Sequence, residues 1–241
     1  MSFEITNELL ANITSYIEAS NDKRIVALFE EMHYADVAEI LDELTFDDVI
    51  YIIKLIDSEK TSAVLMELEE DIREKILQKL SAKEIAEEVE ELDSDDAADI
   101  IGELSEERQE AVMSQIEDEE HVKEIEELLT YDEDSAGGLM AKELVKVNEN
   151  WSVLKCVREM RSQAGEVTRV HSIYVVDDDE KLKGRLSLKD LLITSTKTAI
   201  SEVYIPKVDF VNVHDNLDEV SNKMRKYDLE AIPVVDNDGV L

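Results

Sequence analysis

Apolar and polar positions along the first half of the chain repeat in a twelve-residue unit. "LSAKEIAEEVEE" begins at Leu80, "LDSDDAADIIGE" at Leu92 and "LSEERQEAVMSQ" at Leu104, and the three align without gaps. Each unit opens on leucine, continues with a residue suited to cap a helix, then acids, then small and branched apolar residues. Ser81 with Glu84, and Thr45 with Asp48, have the spacing of a capping box, in which each side chain satisfies a free backbone N–H. Acids in a first turn also favour the positive end of the helix dipole. Ile85, Val89 and Leu92 then make a one-sided apolar stripe. Helices this short are unstable alone in water and must stack on neighbours. Residues 1–130 are therefore predicted to form an all-α superhelix of about eight to ten short helices, of either hand.

Past residue 140 the period changes. "LVKVN" (144–148) alternates as a strand, "WSVLKCVREMRSQ" (151–163) reads as an amphipathic helix, and "SIYVVD" reads as a buried strand. A polar turn in "DDEKLKG", a strand in "RLSL" and a helix opening at "KDLL" follow. The order recurs with "FVNV" (210–213), "NLDEVSNKMRKY" (216–227) and "AIPVVDNDGVL". Pairing Val147 with Val213 and Ile173 with Ile232 gives offsets of 66 and 59, so the first copy carries seven extra residues within "SQAGEVTRVHS". The fold class expected is mixed: an α-helical superhelix at 1–130, a junction at 131–140, and α/β modules at 141–200 and 201–241. The second module is expected to stop before its last strand and helix.

Charge separates the halves further. The 241 residues carry 60 acids and 25 bases, a net of −35. Residues 1–130 hold 39 of the acids and 10 of the bases, so most of the excess lies in the helical half. A chain this acidic repels a phosphate backbone, which excludes nucleic acid as a partner and favours cations or basic surfaces. The start "MSFEITNELL" has neither a basic nor an apolar leader region. The longest apolar run, "VIYIIKLI" at 49–56, falls far short of the roughly 18–20 residues of a membrane span. A soluble cytoplasmic chain is the expectation.

The sharpest charge concentration is at residues 84–110, with 13 acids and one base, Arg108. Asp95, Asp96 and Asp99 of "DSDDAADII" stand out, because 95 and 99 place two carboxylates on one helix face, where like charges are mildly destabilising. They read either as first-turn acids with a solvated neighbour or as cation ligands. Catalysis is not expected. His33, His121, His171 and His214 are scattered, with no nucleophile, base and orienting carboxylate in order. His33 and His121 read as surface residues. "AGG" at 136–138 lacks the Lys-Ser/Thr of a phosphate loop. Cys156 is a lone cysteine in an apolar pattern, and Met113, Met160 and Met224 read as core filler.

The β-α-β-β-α order, the paired "IYVVD" and "IPVVD", and "GRLSLKDLL" resemble a tandem pair of cystathionine-β-synthase-type (CBS) domains. Ser187 and Asp190 match that family's Ser/Thr-x-x-Asp signature, which implies a ribose and phosphate site for ATP or another adenine nucleotide. Ser172 and Leu229, where an adenine sandwich is expected, offer no ring. The junction "YDEDSAGGLM" completes the pattern. Tyr131, Glu133, Asp134, Ala136, Gly137, Gly138, Leu139 and Met140 match the corresponding run of the MgtE family of magnesium transporters and channels, and the likeness covers nearly the whole chain. The glycines are expected to allow close packing where a helix hands over to the first CBS module.

That resemblance implies a regulatory role. Such proteins are similar to homodimers, joined through CBS domains, whose C-terminal membrane pore is controlled from the cytoplasmic face. Mg2+ bridges acidic surfaces of the helical and CBS domains and closes the pore. It implies Asp95, Asp96 and Asp99 on the helical side as Mg2+ ligands, with Asp228 and Asp218 on the CBS side. Magnesium suits such sites because it takes one or two carboxylates and keeps several waters. Two carboxylates about 6 Å apart at an effective dielectric near 20 repel by roughly 3 kcal/mol, comparable with a typical allosteric coupling. The competing reading is a CBS adenine-nucleotide sensor whose acidic superhelix docks a protein.

Overall fold

The computed structural model describes residues 4–165, 170 and 172–241. His171 and part of the segment holding the first copy's extra residues lie outside the described residues. The chain divides into two compact units. One comprises residues up to 92 together with 99–122, and the other comprises 93–98 together with 123–241.

Ten helices precede the first strand among the described residues: α1 (Asn7–Glu18), α2 (Asp22–Glu30), α3 (Tyr34–Asp42), α4 (Phe46–Ile53), α5 (Ser58–Glu67), α6 (Glu70–Leu77), α7 (Ala82–Val89), α8 (Ser94–Gly102), α9 (Glu106–Met113) and α10 (Glu119–Leu128). The twelve-residue period has a mechanical origin. The amide of Leu80 donates to the carbonyl of Leu77, Leu92 to Val89 and Leu104 to Ile101, each over 3.1–3.2 Å. The same turn closes at Leu44 on Leu41 and at Leu68 on Leu65. The repeated leucine ends one helix and packs inward, and the next residue starts the following helix. Ser81 and Glu84 form the reciprocal capping box. Thr45 accepts from the Asp48 amide at 3.4 Å, but its hydroxyl donates to the Asp48 carboxylate, so that pair caps from one side only.

Alternate helices stack in series, α3 on α5, α5 on α7 and α7 on α9. Their apolar stripes meet in a core that includes the fully buried Phe29, Ile40, Ile52, Leu65 and Ile85. Buried Thr61 donates to the carbonyls of Ile53 and Asp57, and Ser62 to that of Glu59, so neither hydroxyl is left without an acceptor. His121 departs from its surface reading. It is half-buried, and its Nε2 lies 3.2 Å from the Val89 carbonyl oxygen.

The second unit carries β1 (Val145–Asn148), α11 (Val153–Gln163), β2 (Ile173–Val176), β3 (Leu182–Leu186), α12 (Leu188–Ile193), β4 (Val211–Asn212), α13 (Leu217–Tyr227) and β5 (Val234–Val235). β1 runs parallel to β2, and β2 antiparallel to β3. All four residues of β2 are buried, as a continuous apolar run requires. Val147, Cys156, Leu186 and Ile200 form a core with Ile173 and Val175 of that strand, and Met160 packs on it. β4 pairs parallel with β5, repeating the β1–β2 relation. The helix N-caps Ser152 and Asn216 are 64 positions apart, and both helices run for 11 residues. The two copies therefore superpose two residues away from the offset read from Val147 and Val213. Alternating valines in a short strand fix its faces but not its register.

Between α10 and β1 the junction is also hydrogen-bonded to the second module. Ala136 donates to the Asp215 carbonyl at 2.7 Å, Gly137 to Val213 at 2.8 Å, and Leu217 to Asp134 at 2.9 Å. A Cβ on Gly137 would lie 2.6 Å from the Tyr131 ring, and one on Gly138 would lie 2.4 Å from the Asp132 carbonyl oxygen. The glycines thus permit a tight turn against the junction's own first residues.

Candidate functional site

The acidic run at the start of α8 is held by a contact made 49 residues further along the chain. The Ser94 amide and hydroxyl each donate to the Glu143 carboxylate at 2.9 Å, and the Lys142 amide donates to the Ser94 hydroxyl, also at 2.9 Å. A carboxylate at a helix N-terminus satisfies an amide that lacks an intrahelical partner and sits at the favourable end of the dipole. Ser94 is fully buried.

This anchoring sets the electrostatics of Asp95, the next residue. Burial raises its pKa above the ordinary carboxylate value, and the nearby Glu143 and Asp93 push the same way, against hydrogen bonds from its own and the Asp96 amide. Its negative form is penalised where it sits, and a cation beside it would relieve that penalty. Asp96 is also half-buried in the first turn, and Asp99 is exposed one turn further on. The ionised Asp99 stabilises the charged form of Arg73. Carboxylates are the ligand type a hard divalent cation such as Mg2+ takes, with water completing its shell, but among the described residues these three do not form one set close enough to hold a metal ion by themselves.

The CBS-side acids have local structural roles. Asp218 is exposed in the first turn of α13, beside Glu219, where the dipole favours it. Asp228 ends the same helix in the left-handed region at φ 53°, a conformation that Asp tolerates better than most residues. The two stand at opposite ends of an 11-residue helix, about 15 Å apart along its axis. They cannot share one ion.

Ser187 caps α12, and its hydroxyl accepts the Asp190 amide at 3.4 Å. Asp190 is half-buried, and its carbonyl takes the Thr194 hydroxyl at 2.6 Å. Ser172 hydrogen-bonds the Tyr174 phenol, whose pKa burial raises. A ring therefore lies beside Ser172, buried in β2.

A cleft of about 330 Å3 opens at the junction, between Tyr131, Asp132 and Asp134 on one side and His214 and Asn216 on the other. The rings of Tyr131 and His214 meet edge to face with centroids 6.4 Å apart.

Sequence reasoning missed Ser94 and Glu143. Ser94 carried a signal, since a serine before two acids is a usual helix start. Glu143 carried none, because its partner is remote in sequence.

The family described as "MgtE intracellular N domain" matches residues 32–134, and the CBS domain family matches 136–195 and 200–241. A magnesium transporter MgtE from Thermus thermophilus is 41% identical over 111 residues, covering 46% of this chain and 25% of that protein. Its counterpart from Enterococcus faecalis is 33% identical over 113 residues, covering 47% and 25%. The chain thus spans about a quarter of the length of these curated relatives. A solved structure of the cytosolic domain of the Mg2+ channel MgtE in complex with ATP superposes with a TM-score of 0.88 at 31% identity, covering 97% of this chain and 95% of that one. The soluble part of a magnesium transporter superposes at 0.81 with 25% identity, covering 97% and 92%.

Proposed function

The chain belongs to the MgtE family, matching its cytosolic domain, and from that premise we propose that it is the Mg2+-sensing regulatory region of a magnesium transporter or channel. The observation that carries this reading is Asp95, a carboxylate whose charge is penalised by burial and by Glu143, at the head of a helix that also bears Asp96 and Asp99. Asp95 and Asp96 group with the CBS unit and Asp99 with the helical unit, so Mg2+ bound there neutralises charge that otherwise opposes approach of the acidic helical unit to the acids of the CBS unit, among them Asp228 and Asp218. At high Mg2+ the assembly compacts and closes a membrane pore at the cytoplasmic face. At low Mg2+ repulsion separates the units and the pore opens. The pore belongs, in this reading, to a C-terminal membrane domain of the same transporter; no helix among the described residues is long and apolar enough to cross a membrane.

The CBS unit pairs with a second copy in this reading. α12 exposes Leu188, Leu192 and Ile193, the last two at 78% and 75%, an apolar surface that a partner would cover. ATP binding is a second activity, supported by the ATP-bound relative and by Ser187 and Asp190 at the start of α12.

Small-angle scattering from zero to tens of millimolar Mg2+, at constant ionic strength, tests the whole reading, because fixed ionic strength removes ordinary screening. The radius of gyration is expected to fall with Mg2+ and not with matched K+, and the forward intensity to report a dimer mass. Asp95→Asn with Asp99→Asn is expected to raise the Mg2+ midpoint roughly tenfold or more. Compaction unchanged in that variant would remove these residues from the sensor. An added ATP arm is expected to shift the Mg2+ midpoint in the parent chain and less in Asp190→Asn. Equal shifts in both would separate the nucleotide from this motif.

A further inference from the structure

Glu88, on α7, is 8% exposed, and its Oε2 is buried with no hydrogen-bond partner. The groups that act on it most strongly are acids: Glu87 and Glu84 on its own helix, Glu91 just beyond it, and Asp57, which caps α5. α5 and α9 both pack on α7. Cations in this region are engaged elsewhere. Lys54 holds Glu84 at 2.6 Å, and Lys83 holds Glu87 at 2.9 Å. From α9, Arg108 donates to the carbonyls of Leu77 and Leu80 at 2.9 and 2.8 Å, and the other charged groups of that helix are Glu106, Glu107 and Glu110. From α10, His121 meets the Val89 carbonyl.

An ionised carboxylate in such a place is strongly disfavoured, and it escapes by taking up a cation. Among the described residues Glu88 belongs to no set of three side chains close enough to hold a metal ion. We propose that the Glu88 carboxyl is a proton-binding site of the helical unit, occupied at neutral pH, whose ionisation loosens the packing of α7 on α5. Burial first, and the neighbouring acids after it, push its pKa up to about 8.

The sign follows from linkage. In the unfolded chain the group titrates at the ordinary value of 4.5. Between that pH and about 8 the folded state holds a proton that the unfolded state has lost. The stabilisation is complete below the unfolded value and is lost as pH rises through the folded one, with the unfolding constant growing up to about tenfold per pH unit. A shift from pH 7 to 8 would take the ionised fraction from about a tenth to about a half. Small alkaline excursions therefore weaken this unit.

Two measurements test the site. Urea unfolding from pH 5.5 to 8.5 at fixed ionic strength is expected to show a slope one proton steeper in the parent chain than in Glu88→Gln. The exposed Glu87→Gln is expected to keep the parent slope. Superimposable slopes for the parent and Glu88→Gln overturn the proposal. The side-chain carboxyl 13C resonance of Glu88 in the unaltered protein is expected to titrate near pH 8, and this decides the matter even where the variant fails to fold. A midpoint below pH 6 overturns the proposal, as does a midpoint driven down by millimolar Mg2+, which would make the resident cation a metal.

Discussion

Arg73→Met is expected to destabilise the helical unit by about 3–5 kcal/mol, the usual cost of stranding one partner of a buried ion pair. The Arg73 and Glu103 side chains are only 12% and 13% exposed, and the pair joins α6 to the turn after α8. Nε donates to Glu103 Oε1 at 2.8 Å and Nη2 donates to the same oxygen, while Nη1 reaches the Leu65 carbonyl at 3.4 Å. The second carboxylate oxygen is buried without a partner, so Arg73 is the main compensation for that charge. Donating these hydrogen bonds to Glu103 raises the Arg73 pKa further, with Asp99 and Glu70 contributing beyond it. Methionine retains much of the arginine stem's apolar bulk, so the loss reports charge more than packing. Chemical denaturation gives the number. Lys83→Met is the control. Its pair with Glu87 has side chains 74% and 52% exposed, and pairs so exposed to solvent contribute little. If Arg73→Met costs no more than Lys83→Met, the pair is not buried in any energetic sense. Changing Glu103 to methionine as well should recover most of the loss, because an apolar pair leaves no stranded charge.

What the sequence revealed follows from the range of the forces involved. The twelve-residue repeat was legible because each unit carries its own stop and start. Leu80, Leu92 and Leu104 close their turns on residues three positions back, and Ser81 caps with a partner three positions ahead. The strands at "LVKVN" and "SIYVVD" were legible from alternation and from continuous apolarity. The register between the two CBS copies was less so, because only backbone pairing and the caps at Ser152 and Asn216 define it. Of the candidate cation ligands, Asp95, Asp96 and Asp99 were found as a charge pattern. The groups that set the Asp95 environment, Ser94 and Glu143, meet across 49 positions, and no local rule links them. Arg73 and Glu103 are likewise 30 positions apart. His121 was misjudged for the same reason, since its buried acceptor is the Val89 carbonyl of another helix. Asp228 shows a further difficulty, because one residue carries both a backbone requirement and a candidate ligand role.

Gly138→Ala should lower the stability of the CBS unit by about 2–4 kcal/mol, combining overpacking with lost hydrogen bonds. A methyl there meets a backbone carbonyl, that of Asp132, at 2.4 Å, and backbone cannot swing aside as a side chain can. The carbonyl is already committed. It accepts the Ser135 amide at 2.9 Å and the Ser135 hydroxyl at 2.7 Å, and the same hydroxyl accepts the Gly138 amide at 3.2 Å. Opening the turn to admit the methyl disturbs all three bonds. It also pulls on the Ala136 and Gly137 amides, whose acceptors are Asp215 and Val213 at 2.7 and 2.8 Å. The junction is stitched to the end of β4 by those two bonds, so strain at one glycine reaches the second module. Gly165→Ala is the matching control, since its added methyl meets nothing nearer than 3.4 Å. That change should be neutral or stabilise slightly, through a less flexible unfolded chain. Urea denaturation of both variants separates the two effects. A loss below 1 kcal/mol for Gly138→Ala would mean that the turn relaxes freely and that the glycine is not required for packing. A large loss with an unchanged Mg2+ midpoint would assign "AGG" to structure, whereas a loss accompanied by a shifted midpoint would make the junction part of the coupling itself.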